Sequence, residues 1–506
     1  MNFDLAVPAQ LMEALTPDIV LMAGAMGLML AAAWRTDSDR HQRAVGLASL
    51  GVLLVTLGLV IWFGARDLTA GTGPVAVDRF RWSADVIFLV AALATVALAI
   101  EYNAREGIQT AESHVLVLFA TSGMMTLAAA RDLMIVFLGI EIMSIAVYVM
   151  AGLNRRSAKA AEGALKYFLL GAFSTGFLLY GIALVYGATG STNLPVIGQR
   201  IVEYALAHQG MLLVGAALLL VGFAFKVAVV PFHMWAPDVY EGAPTPVTAF
   251  MAAAVKAAAF AAFLRVWLEC FGSLEFAWFG PIWWVAAVTM VVANVVALAQ
   301  RSVKRLLAYS SIVHSGYLLV AIAAGSRLGA SALLFYLLAY TLAVFGAFAV
   351  VSAVGRAGER SLEISDYEGL WNVRPGLAVG MAVCLLALLG FPVFGGVGFF
   401  AKLYLLQAAL AAPSNLAPLA VLLVVTSVVS AGYYLHVVRV MFMKPRREDA
   451  VEPEPVGGMT RAVLTASVVL ILVLGLLPGR LATWARNSPP TLGTTTSAPP
   501  IARGLP

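Results

Sequence analysis

Long uninterrupted apolar runs constrain this sequence more than any other feature. A membrane-spanning helix needs about 20 mostly apolar residues, and fourteen runs meet this requirement. They are 18–34, 45–64, 85–101, 114–130, 132–152, 162–188, 208–234, 246–268, 280–300, 306–325, 328–352, 375–410, 416–442 and 461–483. A transmembrane β-barrel is disfavoured, because its strands alternate apolar and polar residues. The sequence therefore predicts an all-α polytopic membrane protein with about 14 transmembrane helices.

The few charged residues, 12% of the chain, lie mainly in the connections between these runs. With the N-terminus outside, the connections that face the cytoplasm hold 16 Lys and Arg residues, against 8 on the other side. Cytoplasmic loops of membrane proteins carry an excess of Lys and Arg. We therefore expect a multi-pass protein of the cell (inner) membrane with both termini on the periplasmic side.

Two of the runs contain helix breakers at membrane depth. The seventh reads GFAFKVAVVPFHMW and contains Pro231, and the twelfth reads LLGFPVFGGVGFF and contains Pro392. They are five runs apart, an odd number, so they cross the membrane in opposite directions. Broken helices at matching positions of inverted halves indicate an ion or substrate path near the midplane. The pattern predicts two inverted five-helix repeats, segments 4–8 and 9–13; ordinary proline kinks are the alternative.

Titratable residues inside the apolar runs suggest what such a path carries. A charge at the centre of a spanning helix costs about 3 kcal/mol, yet the runs contain Glu141, Lys166, Lys226, Lys256 and Lys402. A lysine taken out of water can lose its proton near neutral pH, whereas an arginine stays charged. These residues predict a proton relay in which Glu141 pairs with Lys226.

The same residues could instead have purely structural roles. Glu141 and Lys226 could form a static buried ion pair. Lys166 follows Glu162 by one helical turn, so a local pair with a snorkelling lysine stem is an alternative. His314, in AYSSIVHSGYLLV, could bridge the lysines or could be a hydrogen-bonded structural histidine.

Cofactor signals are missing from the sequence. The two cysteines, Cys270 and Cys384, form no CxxC or Cys/His cluster, so they predict neither a disulfide framework nor a metal or iron–sulfur site. No nucleotide-binding motif is present. We expect no cofactor and no metal in this chain, and no nucleic-acid partner.

Three stretches resemble a known family. PFHMWAPDVYEGAPTPVTAFMAAAVK (231–256), KRLLAYSSIVHSGYLL (304–319) and FGGVGFFAKLYLL (394–406) are similar to the antiporter-like membrane subunits of respiratory complex I, the proton-pumping NADH–quinone oxidoreductase. The run PDVYEGAPTPVTAFM and the lysine of the twelfth segment favour the N group of that family over the M and L groups. The resemblance covers about residues 15–480.

The resemblance implies roles for individual residues. The glutamate of helix five falls on Glu141, and the family's lysines of helices six, seven, eight and twelve fall on Lys166, Lys226, Lys256 and Lys402. The chain would be a non-redox subunit of a proton-translocating oxidoreductase. NADH, FMN, iron–sulfur clusters and quinone would bind in partner subunits, and the partners would include the paralogous antiporter-like subunits and the lipid bilayer.

Two other functions fit the same sequence. One is a subunit of a multisubunit cation/proton antiporter, and the other is a structural spacer between pumping subunits.

The predicted domain organisation is the same for all of these functions: N-terminal helices in 1–113, the first repeat in 114–270, the inverted second repeat in 280–442, a cytoplasmic loop and final helix in 443–483, and a disordered tail in 484–506.

Overall fold

The computed structural model of the chain describes residues 12–34, 38–66, 68, 73–204, 209–359, 362–393, 395–446 and 455–490. Within these residues, 13 helices are long and apolar enough to cross a membrane. Two shorter apolar helices, Pro375–Leu389 and Val397–Ala411, flank the break in the twelfth segment and together supply the remaining span. The predicted fold class is confirmed. Residues 447–454 of the predicted loop and 491–506 of the predicted tail lie outside the described part.

We number the spans α1–α14 and divide the two broken ones into halves a and b. They are α1 (Thr16–Ala33), α2 (Asp39–Ala65), α3 (Arg79–Glu106), α4 (Glu112–Ala129), α5 (Leu133–Ala151), α6 (Ala158–Thr189), α7a (Gln209–Lys226), α7b (Ala236–Gly242), α8 (Thr245–Cys270), α9 (Glu275–Leu298), α10 (Val303–Ala323), α11 (Arg327–Val354), α12a (Pro375–Leu389), α12b (Val397–Ala411), α13 (Ala417–Met443) and α14 (Gly458–Leu476). Short helices Leu194–Tyr204, Leu370–Val373 and Pro478–Arg486 lie in the connections.

Helix starts follow the local sequence. A Ser or Asp side chain at the N-cap accepts a hydrogen bond from an otherwise unpaired backbone N–H of the first turn. Six spans begin in this way, with the caps Ser38, Asp78, Asp132, Ser157, Ser302 and Ser326. These caps mark where the apolar runs leave the hydrocarbon.

A repeated backbone bridge relates the two inverted repeats. Leu133 N donates to Thr192 O at 2.8 Å, and Leu194 N donates to Arg131 O at 2.9 Å. The same pair recurs exactly 170 residues further on, where Val303 N donates to Leu362 O and Ile364 N to Arg301 O, both at 2.8 Å. This spacing aligns α5 with α10, so Glu141 occupies the position equivalent to Ser311, and Ser144 the position equivalent to His314.

Irregular backbone occurs next to three buried lysines, Lys226, Lys256 and Lys402. α7a ends at Lys226, five residues before Pro231, and α12a ends at Leu389, where the following Gly390 has a left-handed φ of 74°. In α8, residues Met251–Val255 form a π-helical turn immediately before Lys256. Such π-turns are frequent at functional sites.

The middle of the bundle is enclosed by protein. α8 is buried along its whole length, and α10 and α11 are nearly so, whereas α1, α2, α13 and α14 each have an exposed face. Charged side chains in the middle of α8, such as Lys256, are therefore enclosed by other helices of the chain.

Candidate functional site: a line of lysines along helix α10

Lys226 lies at the break of helix seven, and its side chain is buried. Its Nζ donates to Ser144 Oγ at 2.8 Å and to Tyr148 Oη at 3.2 Å, both on α5. Glu141 lies on α5 one turn before Ser144 and is half-buried. In the described part of the chain no ion pair joins Glu141 to Lys226, so the direct pair expected from the sequence is not formed. Serine and tyrosine hydroxyls take the place of the carboxylate.

Lys256 lies at the centre of the bundle, directly after the π-turn of α8. Its Nζ donates to the backbone carbonyl of Ser311 at 2.5 Å and also to the Ser311 hydroxyl, both on α10. Lys256 follows Val255 and precedes three alanines, Ala257–Ala259, in the sequence.

His314 occupies the next turn of α10 and connects three helices. Its Nδ1 is hydrogen-bonded to Tyr336 Oη of α11 at 2.5 Å, and its Nε2 to Tyr434 Oη of α13 at 3.2 Å. Tyr434 Oη is in turn 2.5 Å from Ser310 Oγ. Hydroxyl groups can both donate and accept, so this arrangement can pass a proton through His314 in either direction.

Lys402, on α12b, is buried next to the break. Its Nζ donates to Leu389 O at 2.8 Å and to Ser427 Oγ at 2.9 Å, and it lies 4.7 Å from the centre of the Tyr317 ring. Ser427 Oγ also donates to Tyr317 Oη, at 3.3 Å, which brings the contacts back to α10. A cation over an aromatic face is stabilised by the ring electrons.

A small cavity separates His314 from Lys402. It has a volume of about 10 Å³ and is lined by His314, Tyr336, Tyr340 and Lys402 together with small residues such as Gly398. This is room for about one water molecule with several polar partners. A single water there would complete the line from His314 to Lys402.

Lys166 is placed differently from the other lysines. Its side chain is 41% exposed, and its Nζ lies 2.6 Å from Glu162 Oε1 and 2.8 Å from Asp238 Oδ2. Asp238 also accepts from Arg305 Nη1 at 3.0 Å. Lys166 therefore lies at the end of the bundle that carries Arg105, Lys159 and Arg305, which we call the basic face. The local pair of Lys166 with Glu162 is present, and Asp238 connects Lys166 to Arg305 on α10.

Helix α10 brings most of the site together. Ser310, Ser311, His314, Ser315 and Tyr317 contact α7, α8, α11, α12 and α13 between them, and Ser315 Oγ donates to Val227 O at 2.6 Å beside the break. The sequence singled out this serine-rich stretch. It missed the partners on other helices, Ser144, Tyr148, Tyr336, Ser427 and Tyr434, because isolated hydroxyls in apolar runs carry no periodic signal. No three His, Cys, Asp or Glu side chains of the described residues come together as metal ligands.

Comparison with known proteins places this arrangement in a family. The family described as "NADH:quinone oxidoreductase/Mrp antiporter, TM" matches residues 130–430, which contain all six sequence-predicted relay residues. NADH-quinone oxidoreductase subunit N of Gemmatimonas aurantiaca is 50% identical over 98% of this chain and 96% of its own length. The chain belongs to the NADH-quinone oxidoreductase subunit N family. Subunit N of Trichlorobacter lovleyi is 42% identical over 94% of the chain and 96% of its own length.

Solved structures agree with membership in the subunit N family. A chain of respiratory complex I from Thermus thermophilus, solved with bound aureothin, is 37% identical, with a TM-score of 0.76 over 94% of this chain and all of that one. A chain of the Mrp complex from Dietzia has a TM-score of 0.84 at 22% identity, over 94% of this chain and 96% of its own length. At this identity, the match to the Mrp complex chain shows a similar fold only.

Proposed function

We propose that this chain is the membrane subunit N of an NADH-quinone oxidoreductase and that it carries protons across an inner membrane. NADH oxidation and quinone reduction in partner subunits drive this transfer, and the chain itself carries out no electron transfer. One observation supports the proposal above all others. The seven lysines fall into two groups according to what their ammonium groups contact.

Four lysines, Lys159, Lys166, Lys304 and Lys444, each lie within 3.1 Å of a carboxylate oxygen. The three in the interior, Lys226, Lys256 and Lys402, donate to hydroxyl and carbonyl groups, and no ion pair involves them in the described part of the chain. A buried charge without a counter-ion is costly, and no carboxylate of the described residues offsets that cost for these three amines. A lysine paired with a carboxylate is held charged until that carboxylate takes up a proton.

The proposed transfer runs along α10. Lys226 is loaded near the break of helix seven, with Glu141 one turn away setting the local field. Lys256 holds the proton at the centre, the hydroxyls of Ser311 and Tyr434 and the ring of His314 pass it on, and Lys402 releases it. Lys166, with Glu162 and Asp238, would collect protons at the basic face, which we assign to the cytoplasmic side.

The decisive experiment replaces Lys256 by Met in the assembled complex. Methionine keeps the length and packing of the side chain but cannot hold a proton. We expect the number of protons pumped per NADH, measured in proteoliposomes, to fall by the number that this subunit transfers in the wild-type complex. Lys444→Met is the matched control, because Lys444 is partly exposed and paired with Glu368. Wild-type pumping by an assembled Lys256→Met complex would contradict the proposal.

A cation/proton antiporter subunit is the second candidate, favoured by the likeness in fold to the Mrp complex chain. The two functions differ in their partners. Purification of the native complex followed by flavin and iron analysis separates them, because only the oxidoreductase would contain FMN and iron–sulfur clusters.

A further inference from the structure

Glu359 lies in the loop after α11 and reaches into the bundle at the basic face. Its Oε2 accepts from Lys304 Nζ at 2.5 Å. Its Oε1 accepts from Thr245 N at 3.2 Å, from Thr245 Oγ1 at 3.1 Å and from the Tyr102 hydroxyl. The Lys304 side chain is fully buried, whereas that of Glu359 remains 17% exposed. The carboxylate therefore lies between solvent and a buried amine.

The loop holds Glu359 in a strained conformation. Glu359 has a φ of +52°, in the left-handed region that residues with side chains rarely adopt. One contact to α3 holds the loop itself, since Gly358 N donates to Glu106 Oε2 at 2.7 Å. A second holds the end of α11 just before the loop, since Arg105 Nη1 donates to Ser352 O at 2.5 Å. Strain of this kind persists where the surroundings impose it, and it concentrates at functional positions.

Lys304 begins the face of α10 that leads to the central lysine. Lys304 and Ser311 are seven residues apart, which places them on one helix face about 10 Å from each other. Ser311 is the group that accepts from Lys256. Lys304 Nζ also donates to Ala243 O at 2.7 Å, and Thr248 Oγ1 donates to the same carbonyl at 3.3 Å. A polar lining thus continues inward from Lys304.

This pair is separate from the proton-collecting group around Lys166. Asp238 and Glu241 pair with Lys159, Lys166 and Arg305, and Glu359 pairs with none of these three. Among the described residues, Lys304 on α10 and Tyr102 on α3 bind the Glu359 carboxylate, and Arg105 and Glu106 on α3 bind the nearby backbone of Ser352 and Gly358. Thr245 is the neighbour of Glu359 on α8.

We propose that Glu359 is a proton-accepting group for Lys256, so that the second repeat takes up protons through Glu359 and Lys304 without passing through Lys226. The inference rests on the proposed function. A proton from solvent binds the carboxylate of Glu359 and releases Lys304 from its ion pair. Lys304 then gives its own proton inward toward Ser311 and Lys256, and takes the proton from Glu359 to restore the pair. One proton enters and one moves on.

The test compares Glu359→Gln with wild type in the purified complex, reconstituted in proteoliposomes. Glutamine keeps the acceptor for Thr245 but cannot carry a proton. We expect the proton-pumping rate attributable to this subunit to fall by about half, because entry through Lys226 remains, and to fall most at high pH on the basic-face side, where protons are scarce. Glu368→Gln is the matched control, because Glu368 forms a comparable pair with Lys444 in the same loop, away from α10. It should pump like wild type.

Loss of folding is distinguished by a double variant. If Glu359→Gln alone leaves Lys304 uncompensated and prevents assembly, Lys304→Met/Glu359→Gln removes both charges. We expect that complex to assemble and to pump as poorly as the single variant would. Normal pumping with a wild-type pH profile, in either assembled variant, overturns the inference. The proposed function stands or falls on Lys256→Met, so a defective Lys256→Met beside a normal Glu359→Gln refutes this inference alone.

Discussion

At the scale of single residues, the buried lysines differ in the groups that their ammonium groups contact and not in how deeply they are buried. Lys304 is as buried as Lys256, yet it is neutralised by Glu359, whereas Lys256 donates to Ser311. Lysine in either place looks the same in the sequence. The difference depends on a loop residue 55 positions further along the chain, and no local pattern could reveal it.

The sequence predicted the interior lysines because a charge inside a long apolar run is conspicuous. It placed Lys304 in a loop, since the residue follows a short polar connection, and the structure buries it in the first turn of α10. It also paired Glu141 with Lys226 on charge alone. In the structure Ser144 lies one turn nearer to the ammonium group, and a neutral hydroxyl cannot be anticipated from charge complementarity.

Tyr434 is the hydroxyl whose removal we expect to matter most, because it joins Ser310 and His314. Tyr434→Phe keeps the packing of the ring and removes only this bridge. A hydrogen bond in a network with a charged state is worth about 1.5–3 kcal/mol, so pumping should fall by about tenfold. The measurement is the initial rate of proton uptake by proteoliposomes at fixed NADH.

The adjacent tyrosine provides the control for this prediction. Tyr433 Oη donates to Asn294 Oδ1 at 3.2 Å, and the ring nitrogens of His314 are hydrogen-bonded to Tyr336 and Tyr434 instead. Tyr433→Phe also loses one hydrogen bond but should leave pumping within about a factor of two of wild type. Equal losses in the two variants would show that general loosening of α13, and not the bridge, is responsible.

At the scale of helices, the break in helix twelve depends on close packing of backbone against backbone. A Cβ on Gly398 would overlap the carbonyl of Ala387 in α12a, so only glycine allows α12b to lie against α12a at this point. The sequence predicted a broken helix here from Pro392 and its neighbouring glycines. It could not predict which glycine is essential, because that depends on where the two halves touch.

Gly398→Ala should destabilise the break and displace Lys402, four residues away on the same helix face. Overpacking of this kind typically costs about 1–3 kcal/mol. Gly376→Ala in α12a is the control, because no heavy atom lies within 4 Å of the added methyl group and alanine favours helix. Thermal inactivation of the purified complex should begin at a lower temperature in Gly398→Ala and not in Gly376→Ala.

At the scale of the whole molecule, the two repeats share one enclosed core and one helix, α10, that contacts both breaks. Ser315 holds Val227 beside the first break, and Tyr317 reaches Lys402 beside the second through Ser427. The inverted halves were predictable from two breakers five runs apart. Their meeting along α10 was not, because packing between distant helices depends on shape and not on hydropathy.

Because α10 contacts both helix breaks, we predict that Lys256 and Lys402 act in series on one proton path. If one path serves both, Lys256→Met and Lys402→Met should each reduce pumping by the same amount, and the double variant should lose no more than either one. Independent sites would give additive losses. The measurement is the number of protons pumped per NADH in assembled single and double variants, and additive losses would contradict a common path.

The backbone bridge that recurs at a spacing of 170 residues has a consequence for the origin of the chain. Each half forms this backbone bridge from its own residues, in either orientation in the membrane. Two copies of a shorter ancestral polypeptide, inserted in opposite orientations and later fused, would each already have had the bridge. Glu141 and Ser311 would then descend from one ancestral position, which became acidic in one copy and a hydroxyl in the other.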